Sequence, residues 1–128
     1  MPIDFRRIQL NYGDVLVLVA TYLDNGVEVL LGQNNQIKHH GEINLGDQTG
    51  GGGMQLAIYP LRKGTTKMYI RGINGGRGPN PWHVDCQLGI QKDGQIIPLG
   101  IRILGSGDAS TPGGARPDVP PPFELVVE

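Results

Sequence analysis

The sequence predicts an all-β chain: an antiparallel β-sandwich of jelly-roll type with about eight or nine short strands and a Pro/Gly-rich C-terminal arm. Three observations carry this expectation. Apolar and polar residues alternate with period two in several segments, and a 3.6-residue apolar spacing is sustained nowhere. Turn-forming pairs, Asn25-Gly26 and Asp93-Gly94, separate apolar runs. The 21 Gly and 10 Pro among 128 residues follow no fixed period, so they read as turns rather than a fibrous repeat.

The elements follow in order. Val15 to Val19 is rich in β-branched residues and reads as a strand buried on both faces. Asp24-Asn25-Gly26 reads as a hairpin turn into a second run, Val27 to Leu31, because Asn and Gly tolerate φ > 0. Residues 32–53 hold few apolar positions and end in the flexible run Gly50 to Gly53. Met54 to Tyr59 alternates, with Met54, Leu56 and Ile58 on one face, and Lys67 to Ile73 is the next strand. From Trp82 to Ile90 the alternation is clearest: Trp82, Val84, Cys86, Leu88 and Ile90 share one face, His83, Asp85 and Gln87 the other. Lys92-Asp93-Gly94-Gln95 closes a hairpin into Ile97, Leu99, Ile101 and Ile103. Residues 105–122 form an extended loop or arm, and Phe123 to Val127 returns as a final strand, so residues 1–128 read as a single domain.

Charge and cysteine content bound the function. Eleven basic and twelve acidic residues nearly cancel, which argues against a dedicated nucleic-acid binder, although Arg62, Lys63, Lys67, Arg71 and Arg77 form a stretch free of acids. No run approaches the ~20 apolar residues of a membrane-spanning helix. The single Cys86 excludes an intrachain disulfide and faces the side of Trp82 and Val84, as a small core residue. The opening MPIDFRRIQL lacks the apolar stretch of a signal peptide, so a cytoplasmic location is expected.

Several constellations could carry chemistry. His39-His40-Gly41-Glu42, with Asn44 and Asp47 behind, offers metal ligands. However, adjacent His side chains on a strand point to opposite faces, so His39, His40 and Asp47 are weak candidates for one ion. His83 and Asp85 sit side by side on a polar face, suited to acid–base work or to binding hydroxyls. They have no accompanying nucleophile: Gly-x-Ser-x-Gly is absent, and Ser106 and Ser110 fall at the arm. The Gly50–Gly53 run and the Gly-rich loop from Gly72 are followed by strand patterns rather than a helix, which rejects a phosphate loop. The segment Asn74-Gly75-Gly76-Arg77-Gly78-Pro79-Asn80-Pro81-Trp82 offers two amides, a guanidinium and a neighbouring indole on a long loop, a set suited to sugar hydroxyls. Oxygens of Asn44, Asp47, Asp93 or Asp108 could add a calcium ion.

Two stretches bear a likeness to known families. Gly13-Asp14-Val15-Leu16-Val17-Leu18-Val19, with the later Asn/Gly loop, resembles small bacterial galactose-binding jelly-roll lectins. That resemblance implies a calcium-bridged sugar site, but the loop here lacks the aspartate those lectins use. Gly50 to Gly53 followed by Arg77-Gly78-Pro79-Asn80-Pro81-Trp82 is similar to two of the three loops of chagasin-type cysteine-protease inhibitors, which are immunoglobulin-like sandwiches. Their Asn-Pro-x-Thr-Gly loop is absent, and no residue role is transferred from either family.

The expectation is therefore a non-enzymatic binding module. A carbohydrate-binding lectin comes first, with Asn74, Arg77, Asn80, His83 and Asp85 contacting ligand. The alternative is a protein-interaction module (an inhibitor, assembly or toxin subunit) using the loops and the arm from Ala115 to Phe123, with a homodimer as the favoured oligomer. A metal-dependent hydrolase using His39, His40, Glu42 and His83 is the enzyme reading, with a nearly empty catalytic set.

Overall fold

The computed structural model describes residues 4–128; the first residues of the segment read for a signal peptide lie outside them. Eight strands form one curled, open sheet, half of a barrel: β1 (Arg6–Leu10), β2 (Val15–Gln33), β3 (Gln36–Gly50), β4 (Gln55–Ile58), β5 (Gly64–Ile73), β6 (Trp82–Lys92), β7 (Gln95–Gly107) and β8 (Phe123–Val127). The all-β expectation holds at that level. Among the described residues there is no helix, and hence none long and apolar enough to cross a membrane.

β2 is the spine. It does not turn at Asp24-Asn25-Gly26 as its sequence predicts, but runs on for 19 residues. The hairpin turn falls instead at Asn34-Asn35, both with positive φ (51° and 63°). Asn is among the few non-Gly residues that tolerate that region. The predicted turn at Asp93-Gly94 is present, with φ of 51° and 76°. The polar stretch after residue 32, which has too few apolar residues to signal a strand, forms β3 against one edge of β2. β4 continues along the same edge.

The other edge of β2 is shared. Its second half, from Gly26 to Gly32, pairs with β5, and its first half, from Val15 to Asp24, pairs with β6. The sheet thus forks at Asn25. One limb carries β6 and β7; the other carries β5, β8 and β1, the last parallel to β8. An extra residue at Thr21, where the register with β6 shifts, changes which alternate positions of β2 face inward. Leu16, Leu18 and Ala20 enter the core before it, and Leu23, Val27 and Val29 after it. Such bulges bend a strand and increase its twist, which curls the sheet over its own core. Met68, Ile70, Trp82, Val84, Cys86, Leu88, Phe123 and Leu125 fill the interior.

The C-terminal arm is tied to β5 of its own chain. The Gly72 N–H donates to Pro117 O (2.8 Å), the Val119 N–H to Ile70 O (2.8 Å) and the Asn74 N–H to Ala115 O (2.9 Å). The arm therefore extends the β8 edge along β5.

Candidate functional site

The fork at Asn25 gathers the loops. The chain leaves β5 after Ile73, opposite Gly26, and re-enters at His83, opposite Asp24. Residues 74–81 therefore rise from the point where the two limbs part. On the opposite edge of β2 the register with β3 jumps between Asp24 and Gly26, extruding residues 45–48. Both excursions meet over Asn25.

Two buried amides fix this meeting. Asn25 is 4 % exposed; its Nδ2 donates to Gln48 O (2.9 Å), and its Oδ1 accepts from the Gly75 N–H (3.0 Å). It thus clasps the two loops together. Gly26 serves close approach rather than a turn, since a Cβ there would overlap the Ile43 carbonyl oxygen. Asn74 is fully buried, and its Nδ2 lies within hydrogen-bond distance of the carbonyls of Asn80 (3.1 Å), Thr111 (3.0 Å) and Pro112 (3.0 Å). It joins the loop to the arm. Trp82 anchors the loop's far end: it is buried, and a Cβ on Gly72 would come within 2.6 Å of its ring.

The result is an open polar cavity of about 360 Å³ lined by Asp24, Asn25, Asp47, Gly76, Arg77, Asn80 and Pro81. Of the residues singled out for ligand contact, Arg77 and Asn80 line it, joined by Asp47 from the metal candidates. Asn80 shapes the loop as well, donating from Nδ2 to Gly78 O at 3.0 Å. His83 is half-buried directly opposite Asp24, on the same sheet face, with its ring 5.7 Å from that of the exposed Tyr22. An aromatic pair therefore stands on the strand positions beside the cavity.

Two predicted contact residues take other roles. Asn74 presents no surface; its amide is spent on the backbone. Asp85 is bound in a two-pronged ion pair by Arg102, from Nε (3.0 Å) and Nη2 (2.7 Å). The Arg102 hydrogen bonds hold the Asp85 carboxyl below its ordinary range, against the opposing effect of burial. With its oxygens so occupied, Asp85 does not form a working dyad with His83.

The predicted metal candidates separate. His40 donates through Nε2 to Ala57 O (2.9 Å), and Asp47 lies in the loop cavity. His39 joins a different group, with its Nδ1 2.7 Å from Glu28 Oε2 and its Nε2 3.9 Å from Glu42 Oε1. Arg116 of the arm places Nη1 2.8 Å from both carboxylates and so holds the Glu42 carboxyl below its ordinary range. The possible calcium oxygens do not gather. Asp93 sits in the β6–β7 turn, at the far end of β6 from the cavity, and Asp108 is engaged with Ser110.

The acid-free basic stretch disperses too. Arg62 bonds Gln33, Arg71 bonds Asp118, and Lys63 and Lys67 lie over the rings of Tyr12 and Phe5. Only Arg77 of that stretch lines the loop cavity.

Sequence reasoning missed Tyr22, Asp24 and Asn25, which lie in a segment that reads as a strand end and turn. It also missed Glu28, which lies inside an apolar run. Known protein families, characterised proteins and solved structures give no match to this chain, so function is argued from geometry.

Proposed function

We propose that the protein is a non-enzymatic binding module whose loop cavity takes a hydroxyl-rich ligand, a carbohydrate. The observation that carries this reading is the convergence of Asp24, Asp47, Arg77 and Asn80 on one open cavity. Carboxylates accept from sugar hydroxyls, and a guanidinium and an amide donate to them. The neighbouring Tyr22 and His83 rings offer the apolar face that sugar C–H surfaces pack on. The same set lacks an activated nucleophile, so it binds more readily than it transforms.

The test is a thermal-shift and calorimetry panel of monosaccharides, run with calcium and again with chelator. A binding sugar raises the melting point, by ~2.7 kcal/mol of stability at a hundred times Kd. Asp47→Asn and Arg77→Ala should each abolish that shift while leaving the ligand-free melting point within a degree or two. A flat panel, or binding that survives both substitutions, refutes the reading.

A second reading, a protein-interaction module, is favoured by a different observation. Among the described residues β7 pairs only with β6, and its Ile97 (49 %) and Leu104 (50 %) stand exposed. An open edge of 13 residues bearing apolar side chains invites another strand. Concentration-dependent sizing of the wild type and of Leu104→Lys distinguishes it. Self-association lost in the variant supports it, and a monomer at all concentrations removes its homodimer form.

A further inference from the structure

The charged group beneath the arm is built around a cation. Glu28 and Glu42 are directly opposed across β2 and β3. Like charges in that position repel. The arrangement is tolerable only because a positive group sits between them, and Arg116 Nη1 does so at 2.8 Å from each. The guanidinium does not complete the site. Glu28 is 5 % exposed, and its Oε1 is buried with no hydrogen-bond partner. A buried carboxylate oxygen left unpartnered is costly. His39, half-exposed at 49 %, brings ring nitrogens to both acids. One ligand atom from each of Glu28, His39 and Glu42 lies within 4.8 Å of the others.

We propose that Glu28, His39 and Glu42 form a divalent-cation site of zinc type, which Arg116 fills when no ion is bound. One imidazole and two carboxylates are a donor set zinc accepts, at about 2.0–2.2 Å per ligand. A second oxygen of Glu28 coordinating the ion would satisfy the atom that Arg116 leaves unpartnered. With Glu28 binding through both oxygens, the three residues supply four donor atoms, the number a tetrahedral zinc ion takes. Calcium fits less well, because it prefers six to eight oxygens and no nitrogen. The ion and the guanidinium compete for one place, so zinc must displace Arg116.

Competition gives a test with opposite signs. Zinc affinity is measured by calorimetry on the full chain, with His39 ring signals followed by NMR. His39→Gln and Glu42→Gln should each weaken binding by roughly 10–100-fold. Arg116→Met should strengthen it by at least about tenfold, since the resident cation is gone. Asp93→Asn, in the exposed turn between β6 and β7, should change nothing. Circular dichroism and melting curves confirm that each variant is folded; should Glu42→Gln unfold, His39→Gln at its exposed position decides. Shifted His39 ring signals together with tighter binding in Arg116→Met establish the site. Zinc binding insensitive to His39→Gln, or no binding by the folded Arg116→Met protein, overturns it. Calcium binding as tight as zinc overturns the zinc-type assignment.

Discussion

Replacing Asn74 should show that it is structural. Its Nδ2 reaches three carbonyls, those of Asn80, Thr111 and Pro112, at 3.0–3.1 Å. The Nδ2 has two protons, shared among three acceptors, so Asn74→Ala removes two hydrogen bonds' worth of donation, at roughly 1 kcal/mol each. The same change removes the Asn74 Oδ1, which is buried without a partner, and this offsets part of the loss. The net cost should be about 1–2 kcal/mol. Asn74→Asp is nearly isosteric but turns the donor into an acceptor facing three carbonyls. An unpaired charge at a fully buried position costs about 3–5 kcal/mol, so the aspartate variant should be the worse of the two. Urea unfolding reads both. With a slope of ~1.5–2 kcal/mol per molar, Asn74→Ala should lower the midpoint by about 0.5–1 M. An alanine variant within ~0.5 kcal/mol of wild type, or an aspartate variant no worse than alanine, would refute the claim that donated hydrogen bonds hold the loop to the arm.

The Asp85–Arg102 pair predicts a pH signature. The Arg102 hydrogen bonds hold the folded-state pKa of Asp85 below its ordinary value, so the pair's stabilisation is present above that ordinary value and is lost as pH falls through the lower folded value. The gap in urea midpoint between wild type and Arg102→Gln should therefore be open at pH 6 and closed in strong acid, and a gap that persists at the acid end contradicts the linkage. Burial pushes the Cys86 thiol up to about 12. A thiol reagent at pH 8 should leave the native protein unlabelled and react only once urea unfolds it; rapid native labelling would show that the interior around β6 opens readily.

Part of this architecture was legible because the signals are local. The alternation from Trp82 to Ile90 needs only one buried face, and the Asp93-Gly94 turn needs only two residues that accept φ > 0. Asn25-Gly26 carries the same signal and is read wrongly, because its chemistry is tertiary. Asn25 is selected for an amide that clasps two distant loops, and Gly26 for the absence of a Cβ beneath Ile43. A turn motif cannot be told from a clasp motif by residue type. β3 was invisible for a related reason: its residues from Gln36 to Gly50 are mostly exposed, so edge pairing with β2 rather than burial makes it a strand. Of the site, the loop residues Arg77 and Asn80 were legible because long Gly-rich loops on a rigid scaffold favour binding. Their partner Asp24 was not, and Asp47 was singled out only as a metal candidate, since only the fork brings them together.

The fork also relates the two candidate sites physically. Asp24, Gly26 and Glu28 are alternate residues of β2, so they share the outer face of the spine. Asp24 lines the loop cavity, and Glu28 holds the cation group about 13 Å farther along at ~3.3 Å per residue. The arm touches both. Thr111 and Pro112 receive the Asn74 amide at the loop, and Arg116 sits between Glu28 and Glu42. An ion that displaces Arg116 removes one anchor of the arm and leaves the backbone pairing of Ala115 and Pro117 in place. The arm segment between the two anchors is therefore the element through which occupancy at one site would be felt at the other. Linkage then demands reciprocity: if zinc changes the affinity for a loop ligand by some factor, that ligand must change the affinity for zinc by the same factor. Asn74→Ala, which loosens the loop end of the arm, should bring that common factor toward one, and a factor unchanged in the folded variant would mean that the two sites are coupled by another route.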